Sequence, residues 1–531
     1  MSAGGGGAGS PFLALRFARF RTLVLLQLAN AIAVWMHVVA AQWIMTSEGR
    51  SATVVAAVPA AMSVPFLVLC LPAGALVGRA SPARVMASAT VLSAAASVAA
   101  ALLAAGAPGA VVPMLLSVVA VGSGLVAQAI AWQTQIPRLV DRGAVASAAL
   151  VDGMTFNFAR AAGPLAGGLG LSLVGAPATF LVAGVAFGLC ALGMLLAAPR
   201  TLVVAPSGES LVRSIAGGLR FSRNSPWTRR LLFRLCLFGV PSAALWALLP
   251  LVVHDRLGLS SDGFGLLFGL VGLGAVGGTV ALAPVRARLA VNQFGFAGSL
   301  TFGLMLAGLA LSSRTWVVGT LLVLGGAAWV GVQTTWMTAA HQVLPDWIRP
   351  RILALILLAF QGCQALGGLA WGVVADLVGL PGALSGAAVL MTLAASGFLR
   401  RGLLPSEGIA PEPAAVSVPP SLEGVDADRP IRVEVRYRPS AATLPEFLEA
   451  IDKLRLSRLR LGAGGWELLI DPVRPPTYVE AFPVGSWGEY VASETVRLTV
   501  PELRLRERVR VLLDEEPRTR VLVHARPLSR T

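Results

Sequence analysis

Apolar residues fill the first four hundred positions of this chain in twelve long blocks, and polar residues collect in the short gaps between them. A helical pass through a hydrocarbon layer takes about 20 apolar residues. On that measure the blocks predict membrane helices near 18–45, 52–77, 83–105, 109–133, 145–173, 176–198, 230–253, 263–285, 291–312, 315–339, 351–378 and 381–400. A longer polar gap at 199–229 separates one half at 17–198 from another at 230–401. Inside that gap, SLVRSIAGGLRFSRN sets apolar and basic residues on opposite sides of a helix, the pattern of a segment lying on the inner membrane face. Past residue 401 the pattern changes. Residues 402–429 form a proline-rich linker. In 430–531, strand-like alternation (IRVEVRYR, GWELLI, TYVEAFPV, TRVLVHAR) is interleaved with helical periodicity (LPEFLEAIDKLRLSRLR, then SWGEYVASETVRLT with PELRLRERVRVLL). That β-α-β-β-α-β order predicts a ferredoxin-like α+β domain. The expected fold is therefore an all-α membrane protein of twelve transmembrane helices in two six-helix halves, followed by a small α+β domain.

Composition strengthens the membrane reading. Of 531 residues, 56% are hydrophobic and 13% charged, against about 25% charged in a soluble domain. The net charge of +15 would suggest nucleic acid in a soluble chain. Here the arginines crowd into alternate loops: Arg79 and Arg84, Arg138 and Arg142, Arg286 and Arg288, Arg349 and Arg351. The opposite loops hold little beyond Arg50, Arg256 and Arg314. Positive loops stay cytoplasmic. Both termini are thus expected inside, the lipid bilayer is an expected partner, and nucleic acid is not. Residues 1–16, opening MSAGGGGAGSPF, read as a disordered cytoplasmic tail without a cleaved signal. Cys70, Cys190, Cys236 and Cys363 stand singly in apolar blocks and read as packing residues. The sequence holds no G-x-x-x-x-G-K-S/T motif, so ATP is not the expected driver. No cofactor or metal is expected.

The halves also repeat. Trp132 meets Trp336 at an offset of 204 residues, and the same offset pairs Thr134 with Thr338, Asn157 with Gln361, Gly163 with Gly367 and Gly168 with Gly372. A parallel half-onto-half repeat is the geometry of transporters whose halves rock about a central site. On these residues, 17–401 resembles the major facilitator superfamily. The opening QLANAIAVWMHVVAAQW matches at Gln27, Asn30, Trp35, Gln42 and Trp43 the branch of enterobactin exporters, macrolide efflux proteins and transmembrane secretion effectors. The stretch VLPDWIRPRILALILLAFQGCQALGGLAWGVVADLVG, which carries Asp346, Arg349 and Arg351, is similar to the same branch. GALVGRASPAR resembles the family's gating loop at Gly74, Arg79 and Arg84, with Gly78 where relatives have Asp. Val34 likewise replaces an Asp in the first span. GPLAGG in the fifth span (Gly163, Pro164, Gly167) resembles the antiporter motif of exporters. The resemblance implies alternating access and proton-coupled export of a small organic molecule across a bacterial inner membrane. The C-terminal segment resembles antibiotic-biosynthesis-monooxygenase-like domains, which implies dimerisation through it. Relatives often carry two histidines there, where this chain has Tyr490 and Ser493, so an interaction or sensing module is expected rather than a catalyst.

Polar groups inside membrane helices are costly and mark pathways. Asp152 and Arg160 share the fifth span, separated by about 80° around a helix and about 12 Å along it. Asp152 is a candidate proton carrier, and Arg160 a candidate for binding an anionic substrate or balancing Asp152. The alternative is a solvated Asp152 near the helix end and an Arg160 bonded to carbonyls. His37, in the first span, either titrates near neutral pH or holds a neighbouring helix by a hydrogen bond. Gln27, Asn30, Asn157, Gln361 and Gln364 offer further donors and acceptors to a cavity or between helices. The sequence thus points to a secondary active transporter exporting a siderophore, macrolide-like drug or secondary metabolite. Two rivals stand beside it: a non-transporting regulatory membrane protein acting through its C-terminal domain, and a membrane-anchored monooxygenase-like enzyme.

Overall fold

The computed structural model describes residues 12–77, 81–106, 110–197, 211–400, 412, 414, 428–471 and 477–523, with backbone alone for 70–77, 211–216 and 398–400. Two compact units emerge. One holds residues 1–209, 234–335 and 357–401; the other holds 210–233, 336–356 and 402–531.

Helices dominate to residue 400. They are α1 (Ala18–Ser47), α2 (Ala52–Val77), α3 (Pro82–Gly106), α4 (Val111–Leu139), α5 (Val145–Ala197), α6 (Leu211–Asn224), α7 (Pro226–Leu251), α8 (Ser261–Ala281), α9 (Ala283–Arg288), α10 (Val291–Leu311), α11 (Thr315–Val343) and α12 (Arg349–Arg400). Ten helical stretches among the described residues are long and apolar enough to cross a membrane. Leu102, Leu173, Leu311 and Leu377 stay exposed, part of an apolar surface suited to lipid.

The difference from the twelve expected spans has a simple origin. Helices α5 and α12 contain 53 and 52 residues, about 80 Å each at 1.5 Å per residue, more than twice the roughly 30 Å of a hydrocarbon core. Each holds one non-helical residue, Gly175 (φ 79°, ψ 174°) in α5 and Gly379 (φ 80°, ψ 160°) in α12. Glycine takes positive φ without a Cβ penalty, so one residue breaks the helix where a short loop was expected. Pro177 and Pro381 follow two positions on. The breaks are 204 residues apart (175 to 379), the offset of the sequence repeat.

In the second unit a four-stranded sheet is built from β1 (Ile431–Tyr437), β2 (Glu467–Asp471), β3 (Thr477–Val484) and β4 (Arg518–Val523), and the helices α13 (Leu444–Leu461), α14 (Trp487–Thr495) and α15 (Val500–Val511) connect them. Strand order is β2-β3-β1-β4. All pairs are antiparallel, with Ile431 opposite both Val484 and Val523. Ile431, Val433, Val435 and Tyr437 of β1 face the core with Phe447, Ile451 and Leu454 of α13. Helix α13 stops at Gly462, whose φ of 142° an L side chain would resist. Ser486 caps α14 by accepting from the Glu489 N–H at 3.1 Å.

This core also contains charge. Glu480 is fully buried and accepts from Tyr437 Oη (2.6 Å), Trp466 Nε1 (2.8 Å) and Arg458 Nε (3.3 Å). Arg458 reaches on to Glu494 (3.3 Å), which also pairs with Arg506 at 2.8 Å. Burial pushes the Glu494 carboxyl up, but Arg506 and Arg458 outweigh it and hold the group below its ordinary range. Burial, with Glu480 beside Tyr437 and Glu494 beside Tyr490, raises both phenols.

The same unit gathers α6 and the turn before α12. Phe221 of α6 meets Trp347 edge to face (5.8 Å between centroids), and Arg497 lies 5.2 Å over Trp347. Arg220 pairs with Glu489 at 3.1 Å.

Candidate functional site

The glycine motif of α5 is a packing device. A Cβ on Gly163 would stand 2.5 Å from Trp35 Cβ of α1, and one on Gly167 3.1 Å from Met36 Cα. At Gly168 it would meet Ser261 O at 2.5 Å and Gly265 Cα at 2.7 Å, on α8 of the other half. Pro164 is buried beside them and presents its carbonyl toward Gly265. The second half repeats the arrangement: Gly367 packs on Val240 of α7, and Gly372 crosses to Thr53 and Ala56 of α2. Small residues therefore carry the contact between halves, as close helix approach in a membrane requires.

That crossing is reinforced by polar contacts. Asp376 of α12 accepts from Ala52 N–H (2.7 Å), Thr53 N–H (3.0 Å) and Thr53 Oγ1 (2.5 Å), capping the N-terminus of α2 across the halves. Gln42 of α1 donates to Trp246 O of α7 at 2.8 Å, and Trp43 stacks on Phe264 of α8 at 5.5 Å. Sequence reasoning passed over Asp376, although an acidic residue near the end of an otherwise apolar block was a legible signal.

The predicted polar residues separate into distinct settings. His37 is fully buried, with Nδ1 2.8 Å from Ser97 Oγ and Nε2 3.2 Å from Ser117 Oγ, tying α1 to α3 and α4. Gln27 accepts from Gln128 of α4. Asn30 is buried. Asn157 donates to Gly153 O within its own helix (2.9 Å). Val34 is buried in an apolar cluster with Ala33, Ala96, Val121 and Phe187, which suits valine where relatives carry Asp.

Asp152 accepts from Trp132 Nε1 (2.7 Å) and Gln133 Nε2 (3.0 Å) of α4. Arg160 has other partners: its guanidinium lies 4.9 Å from the Phe156 ring and 4.5 Å from that of Trp329 on α11. Trp329 in turn packs on Trp246 of α7 (5.7 Å) and Phe360 of α12 (6.1 Å), and Trp246 on Phe268 of α8 (5.5 Å). Arg160 is thus half-buried beside one ring from each half. One turn beyond Phe360, Gln364 has a buried Oε1 without a hydrogen-bond partner; Gln361 is half-buried. The aromatic residues around Arg160 were not foreseen, because rings in apolar blocks look alike until helices are packed.

Of the gating residues, Gly74 falls on α2 in a stretch whose side chains lie outside the described residues, and Arg79 lies outside them altogether. Arg84 is exposed on the first turn of α3. Arg349 donates to Leu344 O (2.8 Å) and pairs with Asp346 (2.6 Å), while Arg351 packs on Gly217 and Gly218 of α6. The cysteines bring one surprise: Cys236 of α7 and Cys363 of α12 are neighbours where those helices pack at Gly239, so they do not stand singly in space.

Two repeat-related halves of membrane-length helices, meeting through small residues beside a half-buried arginine, are the architecture of a membrane transporter. The chain belongs to the major facilitator superfamily, in the family described as Transmembrane secretion effector, which matches residues 9–528. Its fold is similar to that of a bacterial homologue of the human lysosomal transporter Spinster, solved inward-facing and occupied (TM-score 0.60, 14% identity, covering 74% of this chain and 97% of that one). It is also similar to the nucleoside transporter NupG (0.60, 12%, 72% and 99%) and to a D-xylose-proton symporter (0.54, 14%, 73% and 98%). No curated protein matches the chain.

Proposed function

We propose that this secondary transporter exports a small organic molecule of the siderophore, macrolide-like or secondary-metabolite kind, coupled to protons, through twelve membrane passes with both termini in the cytoplasm of a bacterium. The observation that carries the reading is the placement of Arg160 between rings of both halves, while the halves touch through replaceable small-residue and capping contacts. Alternating access needs such an interface: held by a few kcal/mol, it opens without unfolding either half. Asp152, with its two donors on α4, is the proposed proton carrier. Accumulation of labelled siderophores and macrolides in cells with and without the protein tests the reading. Lower accumulation that recovers when the proton gradient is collapsed supports export; equal accumulation across the panel, with the protein in the membrane, refutes it for these classes.

The C-terminal domain, which we read as ferredoxin-like, serves as an interaction module. Its interior is occupied by the Glu480–Arg458–Glu494 network, which favours a packed scaffold over a substrate chamber. Its grip on α6 and Trp347 favours a regulatory part in gating. Edge strand β2 leaves Leu469 and Ile470 exposed, a surface suited to pairing with a second copy.

A further inference from the structure

We propose that the Arg160 site takes an organic monoanion carrying a flat apolar body, with the anion on Arg160 and Trp329 and the body among the neighbouring rings. The inference rests on the transporter reading for its route of access and on the local chemistry for its selectivity.

Arg160 sits in a membrane-spanning helix, where an uncompensated cation is expensive and calls for a partner. Among the described residues no carboxylate comes within ion-pairing distance of it. The acid nearest in the same helix, Asp152, already accepts from Trp132 and Gln133. The Phe156 and Trp329 rings lie 4.9 and 4.5 Å from the guanidinium carbon, within cation–π reach, but a ring accepts no directed N–H bond of the kind an anion does. The Nε is buried and has no hydrogen-bond partner. Trp329 supplies an independent signal: the residue is 5% exposed, and its indole Nε1 is likewise buried without a partner. Buried donors are nearly always satisfied, and Arg160 lies 4.5 Å from the Trp329 ring centroid, so the two orphan donors belong to one cluster that calls for an acceptor. Both are donors, and one carries full positive charge, so the missing group is an anion. Trp246 and Phe360 flank Trp329, so a planar apolar body attached to that anion meets rings on further sides. A cation of the same shape meets Arg160 with no countercharge and is rejected.

The test uses the full chain in nanodiscs of neutral lipid and three matched probes: naphthalene-2-carboxylate, its neutral carboxamide and the cationic naphthylmethylammonium. Tryptophan quenching or a radiolabel reads saturable binding. The carboxylate should bind at least about tenfold more tightly than the amide, with the ammonium weakest. Arg160→Gln should cost the carboxylate on the order of 100-fold, as loss of a buried charged partner does, and cost the amide much less, so that the preference for the carboxylate is lost. Arg160→Lys should restore part of the loss, and Trp329→Phe, which keeps the ring and removes the donor, should cost about five- to tenfold. A monodisperse elution profile and an unchanged Tm in the nanodisc show that each variant is folded. No saturable carboxylate binding, equal affinity for carboxylate and amide, or a carboxylate Kd unmoved in Arg160→Gln overturns the proposal. Anion-selective binding without gradient-driven transport in proteoliposomes would leave this site standing and sink the export reading. Transport that ignores substrate charge would do the reverse.

Discussion

Asp376 is the residue on which the contact between halves can be weighed. Its carboxylate accepts the N–H groups of Ala52 and Thr53 and the Thr53 hydroxyl at the start of the 26-residue helix α2. Asp376 is exposed, so burial adds little. Loss of an N-cap costs about 0.5–2 kcal/mol, and loss of a negative charge at a helix N-terminus a further 0.3–1 kcal/mol or so. Asp376→Ala should therefore weaken the contact by about 1–3 kcal/mol, which shifts an equilibrium between touching and parted halves about 5- to 150-fold. The same end holds Trp43 5.7 Å from His254, so spin labels at Ser47→Cys and Asp255→Cys, in a chain with its native cysteines replaced, report its width. Pulsed electron–electron resonance should show a short distance in the parent and a grown long-distance population in Asp376→Ala, with Asp376→Asn between them because an amide oxygen still accepts but carries no charge. An identical distribution in parent and Asp376→Ala would refute the reasoning.

Other outcomes follow from the same geometry. Gly168→Ala puts a methyl 2.5 Å from Ser261 O and should cost about 1–3 kcal/mol of overpacking, read as a lower Tm in detergent; Gly153→Ala, with nothing within 4 Å, should leave Tm unchanged or raised. Glu480→Leu takes one of two carboxylates from buried Arg458 and the acceptor from Tyr437 and Trp466, and should destabilise the sheet domain by about 3–5 kcal/mol, part of which Arg458→Met added to it should recover; hydrogen exchange of β1 and α13 in the full chain measures both. The domain should also lose stability at both ends of the pH range. Glu494, held below its ordinary range, stabilises the folded state above the unfolded glutamate value of about 4.3 and ceases to as pH falls through its own lower one. Tyr437 and Tyr490, raised by burial, stabilise it below about pH 10 and lose that contribution as pH climbs through their folded values. Exchange rates flat from pH 3 to pH 11 after correction for intrinsic chemistry would contradict this.

The length of the apolar blocks sets the solvent of this protein, and with it most of the architecture. Long apolar blocks have no stable home but lipid, and a continuous apolar block satisfies its own backbone there only as a helix. Alternation against helical periodicity was enough to lay out β1, α13, β2, β3 and β4 within a few residues, most cleanly in β1 and β3, where alternate residues are buried. The repeat was legible too, and the breaks at Gly175 and Gly379 fall on its 204-residue offset. Tertiary structure decided which polar groups share a setting. Asp152 and Arg160 lie in one helix and look alike as rare charges in apolar sequence, yet one is held by α4 and the other lies against rings of α5 and α11. Trp246, Trp329 and Phe360 carry no site signature in a chain that is more than half apolar. Asp376 and the α2 N-terminus are 324 residues apart, as Arg220 and Glu489 are 269. Local pattern encodes which face of an element is apolar. The partner of a polar atom on another helix depends on how helices cross, and small residues such as Gly168 settle that by close packing rather than by any charge visible along the chain.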